Sequence, residues 1–581
     1  MNVIGLNAFH GDSSACLFIN GTMVAAAEEE RFRRIKHWAG FPSESIKFSL
    51  ASQGLDLSDI DVVAINTDPK SARWRKAAFA LSGQASLSLI TEKLRVRKKR
   101  KDIVEYLLEA FPGQVFNGKV EYVEHHLAHL ASAYNVSPYE AASIVSVDGF
   151  GDFASAAWGF GKAGQIDLQK RVYFPHSLGV FYQALTQYLG FPHYGDEYKV
   201  MGLAPYGEPK YREQMDEILA PVKGQGFRLN LKYFQHHKNP IGYEWDDDSP
   251  KVSQLYDNAL IDLLGPVRTK DQELTQHHRD IARSIQDAYE RTFFAMLNEL
   301  HENHQCDNLT IAGGCGMNSV ANGKVHLHTP YQNIYIQSAA GDAGGAIGAA
   351  VVAGQRHGVN SDFVMTHSYW GTSYDDASLR NLLDESSSDL EESNCVVRYD
   401  LSLNDLVDQV SDHIIDGKVI GWFQGAMEWG PRALGNRSIL GDPRRDDMKD
   451  ILNIKIKRRE SFRPFAPSVL KEHVADWFES DAPVPFMMKV FQIKSEQRQK
   501  IPAVAHVDGS GRLQTVTSEG NNRYYQLIQS FYQKTRVPML LNTSFNENEP
   551  VVCKPEEALS CFLRTNMDVL VLGSHIVTRN S

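Results

Sequence analysis

Apolar residues arrive in short blocks rather than long ones. "NVIGLNAF" near the start is almost continuously apolar over eight positions and reads as a buried strand. The polar "HGDSSA" breaks it. "ACLFINGTMVAAAEEE" then sets two apolar runs about Asn20-Gly21, the dipeptide that best predicts a two-residue hairpin turn. The plan recurs from 142. "ASIVSVDGFGD" is an apolar strand running into a polar, glycine-rich loop, and "FASAAWGFGKAGQIDLQKRV" follows as two strands about a second glycine turn. The pattern predicts a duplicated unit of strand, acidic loop, strand, turn and strand. A nucleotide or metal cleft between the two halves is its natural consequence.

Between and after these units the period changes. "DIDVVAIN" (59–66) is a further strand, and 70–111 is helical and charged. Residues 275–303 keep a helical period and predict one amphipathic helix. "DNLTIAGGCGMNSVANGKV" (307–325) and "IYIQSAAGDAGGAIGAAVVAG" (334–354) each read as a strand, a glycine-rich turn and a helix. Periodicity fades over 355–372, a linker. It resumes with a helix (403–416) and the strand "KVIGWFQG" (418–425), and a dense basic, glycine-rich region follows. A chain of 581 residues exceeds what one core supports. The reading is therefore α/β, with domains 1–365 and 366–581.

Composition narrows the function classes. The formal net charge of −11 argues against nucleic acid as the main partner. The basic run "RVRKKRK" (95–101) is ordinarily a solvated helix face, with an anionic-surface patch as the less common reading. The six cysteines are scattered, without a CxxC pair, so neither a disulfide framework nor a cysteine zinc site is expected. The opening residues read as a strand rather than a signal peptide. No apolar run reaches the roughly 20 residues of a membrane span. A cytoplasmic enzyme is the expectation.

Chemistry concentrates at a few points. In "EHHLAHLASAY" (124–134) His125 and His129 stand one helical turn apart and share a face, while His126 points elsewhere. Two neutral imidazoles at that spacing suit a divalent transition metal, although an isolated HxxxH pair is more often packed or hydrogen-bonded without one. Asp148 in "SVDGFGD" and Asp342 in "AAGDAGGAIGA" are loop aspartates hemmed in by glycines, costly to bury unless paired or metal-bound. Together the four would suit Fe²⁺, Zn²⁺ or Mn²⁺ with open positions for a substrate oxygen. "AGGCGMNS" (312–319) and "GDAGGAIGA" (341–349) are glycine turns entering helices, where backbone N–H groups hold phosphate or merely allow close helix–sheet packing. "EWGPRALGNRSILGDPRR" (428–445) and "NIKIKRRESFRPFAPSV" (453–469) interleave arginines and lysines with Gly, Pro and aromatics. Lys455 and Lys457 alternate with isoleucines and are expected on one face. Arg512, and Asn542, Thr543 and Ser544 at the end of an apolar strand, extend this to a polyphosphate pocket; the alternative is an interface held by arginines.

These motifs resemble the nodulation-type O-carbamoyltransferase family, whose members include enzymes that carbamoylate cephem and aminoglycoside antibiotics. The resemblance rests on "NAFHGDSSACL", "AAAEEERFRRIKH", "EHHLAHLASAY", "SVDGFGD", "AGGCGMNS", "GDAGGAIGAA", "EWGPRALGNRSILGDPR", "RRESFRPFAPSVL" and "LLNTSFNENEPVV", in family order and nearly end to end. It implies an N-terminal actin-like (ASKHA) domain and a C-terminal YrdC-like domain. It implies that carbamoyl phosphate and ATP, with Mg²⁺, give carbamoyl-adenylate and pyrophosphate in the second domain. An acceptor hydroxyl, on a sugar or secondary metabolite, then attacks the adenylate in the first. The implied ligands of Fe²⁺ are His125, His129, Asp148 and Asp342, and His10 is the implied base. The order here is His-Gly-Asp, where some relatives place His directly before Asp. Arg432, Lys457, Arg463 and Arg512 would hold carbamoyl phosphate and ATP, Asn542 and Ser544 would position them, and Gly314 and Asn318 would contact the adenylate. Three other readings stand beside it: an actin-like small-molecule kinase, a tRNA-modifying carbamoyl-adenylate enzyme, and a non-catalytic assembly protein that merely binds nucleotide. The acidic balance weighs against the second. The aromatic stretch 175–207 is the expected acceptor wall, and a homodimer is left open.

Overall fold

The computed structural model describes residues 1–81, 102–244, 249–457, 460 and 462–580. The basic run 95–101, and positions 458, 459 and 461 of the second arginine motif, lie outside the described residues. The chain divides into two compact units, residues 1–318 with 325–365, and residues 319–324 with 366–581.

The first unit is built on two five-stranded sheets of one design. In the first, β1 (Asn2–Asn7) pairs antiparallel with β2 (Ser14–Ile19), which pairs antiparallel with β3 (Thr22–Glu28). On its other side β1 runs parallel to β4 (Val62–Ile65), and β4 parallel to β5 (Lys119–Tyr122). The second sheet repeats this with β6 (Ala141–Gly151), β7 (Ala154–Lys162) and β8 (Gln165–Tyr173) as the antiparallel run. Two short ribbons intervene, β9 (Leu219–Val222) with β10 (Gly226–Leu229), and β11 (Tyr243–Glu244) with β12 (Lys251–Val252). Then β13 (Asn308–Ala312) and β14 (Asn333–Tyr335) join β6 in parallel. The duplicated strand plan of the sequence is thus a duplicated sheet. Asn20 and Gly21 both take positive φ, 49° and 85°, as a type I′ hairpin turn requires. The predicted amphipathic helix spans Gln276–His304, capped by Thr275 and closed by Gln305 in the left-handed region.

Glycine decides how closely the layers approach. The helix Gly345–Arg356 lies between β1 and the histidine-bearing helix His125–Tyr134. A methyl group on Gly348 would stand 1.7 Å from the Ala128 carbonyl oxygen, and one on Gly5 would stand 2.0 Å from that of Ala346. Gly348→Ala must therefore push the histidine helix away. The expected cost is about 1–3 kcal/mol of stability, measurable by denaturant unfolding.

The second unit carries a nine-stranded mixed sheet. Its strands are β15 (Cys395–Arg398), β16 (Ile420–Phe423), β17 (Arg437–Gly441), β18 (Ala466–Leu470), β19 (Lys489–Gln492), β20 (Ser510–Val516), β21 (Met539–Ser544), β22 (Val569–Leu572) and β23 (His575–Arg579). They lie in the order β15-β23-β22-β16-β17-β21-β18-β20-β19. Trp422, Ile439, Val469, Leu513, Leu540 and Val571 belong to its core. The alternating Lys455 and Lys457 do not share a face. Asn453–Lys457 is a π-helical turn continuing the helix Met448–Leu452, so positions two apart diverge. Lys455 bonds Asp568 at 2.7 Å, whereas Lys457 is buried and bonds the carbonyls of Ser544 and Asn546, each at 2.7 Å. No helix of the described residues is long and apolar enough to cross a membrane.

Candidate functional site

The histidine helix starts where its sequence asks it to. Glu124 caps it, accepting from the backbone N–H groups of His126 and Leu127. Asp152 ties its first turn down, accepting from the N–H groups of His125 and Asp68 and from the Thr67 hydroxyl. A methyl group on Gly151 would fall 2.0 Å from the His125 ring, so only glycine lets β6 pass that imidazole. His125 and His129 project together, with their Nε2 atoms 3.0 Å apart. His126 turns away, its Nδ1 2.7 Å from the Ser146 hydroxyl. Burial, chiefly, pushes His126 down to about 4, leaving it neutral.

Two aspartates from other elements meet the pair. Asp148 comes from the end of β6, and Asp342 opens the turn Asp342–Gly344 that leads into the helix Gly345–Arg356. Nε2 of His125 lies 3.2 Å from Asp148 Oδ2 and 3.6 Å from Asp342 Oδ1; for His129 the distances are 3.7 and 3.5 Å. Four metal donors at bonds of 2.0–2.1 Å in a tetrahedron stand roughly 3.3–3.4 Å apart, so the observed edges bracket that geometry. Asp342 Oδ1 is buried without a hydrogen-bond partner among the described residues. The other oxygen of Asp148 accepts from Gly314 N–H at 2.8 Å. Burial alone would drive Asp148 up and His125 down. The imidazoles instead hold Asp148 well below the usual carboxylate range, and Asp148 and Asp342 push His125 up to about 9. The two carboxylates thus draw positive charge into a buried space, which is the condition a divalent cation satisfies. The residues fit a metal.

The loop His10-Gly11-Asp12 borders this cluster. Asn7 secures it by donating to the carbonyls of Gly11 and Asp12. The His10 ring centre lies 5.5 Å from that of His125. Asp12 instead faces His37, 2.7 Å from its Nδ1, a pair the sequence reading did not find because Asp12 and His37 lie in separate loops. Asp12, Glu30 and His37 offer donors within 4.8 Å of one another. Arg31 already lies 3.2 Å from Glu30, however, so this group balances its own charge. Burial would lower His37, but Asp12 and then Glu30 push it up to about 9. A folded-state pKa above the ordinary 6.5 stabilises the fold fully below pH 6.5, and that contribution fades as pH rises through about 9. His37→Gln is accordingly expected to flatten the fall in melting temperature between pH 6.5 and 9.5, seen as a difference from the parent protein.

Of the two expected adenylate contacts, Gly314 spends its N–H on Asp148. Asn318 is held in a reciprocal amide pair with the buried Gln286, at 3.0 and 3.1 Å. Gln286 also accepts from the Tyr182 hydroxyl and donates to Glu290.

In the second unit the loop Gly430–Arg437 is organised by Glu428, a residue not singled out in the sequence. Its carboxylate accepts from the N–H groups of Leu434, Asn436 and Arg437. Arg437 is fully buried, bonded to the carbonyls of Gln424, Gly425, Asn436 and Thr372 over the Phe423 ring, and so belongs to the scaffold. Asn542 is 1% exposed, and its amide joins the Ala433 carbonyl, next to Arg432, to Ser468 and Gln514. It thereby secures the arginine loop. Lys457 meets Ser544 through both the carbonyl and the hydroxyl, while Arg463 stands 2.5 Å from Glu460, and Arg512 lies on β20 opposite Val490.

Comparison with known proteins matches residues 2–351 to the family model described as the carbamoyltransferase N-terminus, and residues 411–579 to that of the carbamoyltransferase C-terminus. An uncharacterized protein of Synechocystis sp. is 39% identical over all of this chain and 97% of its own length. The nodulation protein NolNO of Sinorhizobium fredii is 36% identical over 99% of this chain and 80% of its own. Nodulation protein U of Bradyrhizobium diazoefficiens is 27% identical over 94% and 92% respectively.

Proposed function

The chain belongs to the carbamoyltransferase family, and from that premise we propose that it is an ATP-dependent O-carbamoyltransferase with two reaction centres. In the second unit, read as YrdC-like, Arg432, Arg463 and Arg512 present guanidinium forks to the phosphates of carbamoyl phosphate and MgATP, with Lys457 as a point charge beside Ser544. Water cleaves carbamoyl phosphate to carbamate and phosphate. A carbamate oxygen attacks the α-phosphorus of ATP, pyrophosphate leaves, and carbamoyl-adenylate results.

The first unit, read as actin-like on its duplicated sheet, is the transfer centre. A divalent metal held by His125, His129, Asp148 and Asp342, Fe²⁺ by the family resemblance, would supply Lewis acidity at the carbamoyl carbonyl. His10, at the rim of that cluster, accepts the proton of the acceptor hydroxyl. The acceptor oxygen bonds to the carbonyl carbon, the bond from that carbon to the phosphate oxygen breaks, and AMP departs. Asn318, fixed by Gln286, and Gly314 border the adenylate. The acceptor is a hydroxyl of a sugar or secondary metabolite.

One observation carries this reading: two imidazoles and two carboxylates from three separate segments converge within 4.8 Å. Its test needs no acceptor. Protein with ATP, Mg²⁺ and carbamoyl phosphate is expected to release pyrophosphate only when carbamoyl phosphate is present, with carbamoyl-adenylate seen by mass spectrometry. ADP in place of pyrophosphate would make the protein a kinase.

A further inference from the structure

A neutral donor stands beside the cluster without a hydrogen-bond partner among the described residues. It is the phenol of Tyr194. This residue follows the helix Leu178–Tyr188, and its backbone is anchored by donation from its N–H to the Pro250 carbonyl at 2.8 Å. Its ring meets His37 edge-on at 5.1 Å, and Tyr243 at 6.2 Å. The phenol end lies across Gly11, where a methyl group would stand 2.9 Å from both Cζ and Oη. Gly11 directly follows His10, so the hydroxyl rests on the loop that borders the metal cluster. Gly195 is equally tight on the other side, since a methyl group there would stand 2.6 Å from His37 Nε2. Two glycines and the Asp12–His37 pair therefore fix the ring in one place. Burial first, then the charges of Asp12, Asp342 and Asp148, keep the hydroxyl protonated well above 10.

A phenol that never ionises stays a donor throughout. The hydroxyl lies within the field of Asp12, Asp342 and Asp148 and rests on the loop bordering the cluster. A fixed O–H donor there needs no reorganisation at the moment negative charge develops on a bound carbonyl oxygen. We propose that Tyr194 donates a hydrogen bond to the carbamoyl carbonyl oxygen as negative charge develops on it during transfer. The phenol keeps its proton; the acceptor's proton goes to His10. This rests on the reading of the first unit as the transfer centre.

Tyr194→Phe keeps the ring, its edge-on contact and the packing on Gly11, and removes only the oxygen. Two readouts apply to the full chain. With water as acceptor, AMP release from enzyme-made carbamoyl-adenylate is expected to fall about 100-fold in kcat, while pyrophosphate formation and the KM for ATP stay within two-fold. In Co²⁺-loaded protein, acetohydroxamate titrated by visible absorbance is expected to bind about 10-fold more weakly, the worth of one hydrogen bond. A variant that releases AMP and binds acetohydroxamate within two-fold of the parent overturns the proposal alone. A parent protein that takes up no Co²⁺ overturns the transfer-centre reading, and this proposal with it.

Discussion

Asp148→Asn is expected to empty the metal centre and to lower carbamoyl transfer by about a thousand-fold, the several kcal/mol that Lewis-acid stabilisation supplies. The substitution is nearly isosteric, and the amide that replaces the carboxylate retains an oxygen for Gly314 N–H, so the loss lies in charge rather than shape. With one negative charge gone, the remaining groups are two imidazoles and Asp342, whose Oδ1 has no hydrogen-bond partner among the described residues. Metal content by mass spectrometry should drop from about one equivalent to near zero. Carbamoyl-phosphate-dependent pyrophosphate release should continue unchanged, because the proposed mechanism puts adenylate formation in the other unit. Loss of both activities together would mean that the two reactions share one centre. Retained metal with retained transfer would remove the cluster from the mechanism.

The second large effect is expected at Arg463. Arg463→Ala should cut pyrophosphate formation by at least about a hundred-fold, the scale seen on removing one donor to developing charge. Arg463→Lys should restore little of it, since an ammonium cannot reproduce the planar fork. Arg463 also pairs with Glu460, so a purely structural role is the competing explanation. The two separate cleanly. A structural arginine gives a lowered melting temperature and a rate recovered by cooling, and Glu460→Gln would mimic it. A substrate arginine gives a raised KM for carbamoyl phosphate or ATP at unchanged melting temperature. Hydrolysis of carbamoyl-adenylate supplied from outside should be untouched in Arg463→Ala, the mirror image of Asp148→Asn.

Much of the fold lay within reach of the sequence because it is encoded locally. The hairpin at Asn20-Gly21 follows from two residues that tolerate positive φ, and the long helix 276–304 from a sustained apolar period. The repeated strand plan surfaced because both copies keep a buried strand before a polar loop. The alternation at Lys455 and Lys457 misled, since a π-turn presents residues two apart in different directions, and no local pattern distinguishes it from a strand. Nor does any local pattern mark residues 319–324 as grouping with the second unit.

The site divides in the same way. What the sequence determined by itself was each donor's type and local setting: two histidines one helical turn apart, aspartates at strand and helix ends among glycines, arginines pinned by proline. These follow from backbone periods and steric rules that reach only a few residues. Only the tertiary structure decided which donors meet. It brought Asp148 and Asp342 to the same two imidazoles, joined Asn542 to the Ala433 carbonyl beside Arg432, set Asp12 against His37, and laid Tyr194 over Gly11. The physical reason is that each of these contacts joins segments distant in the chain, several of them packed through glycines whose missing side chains leave room, as at Gly151, Gly348 and Gly11, and sequence spacing carries no record of that distance.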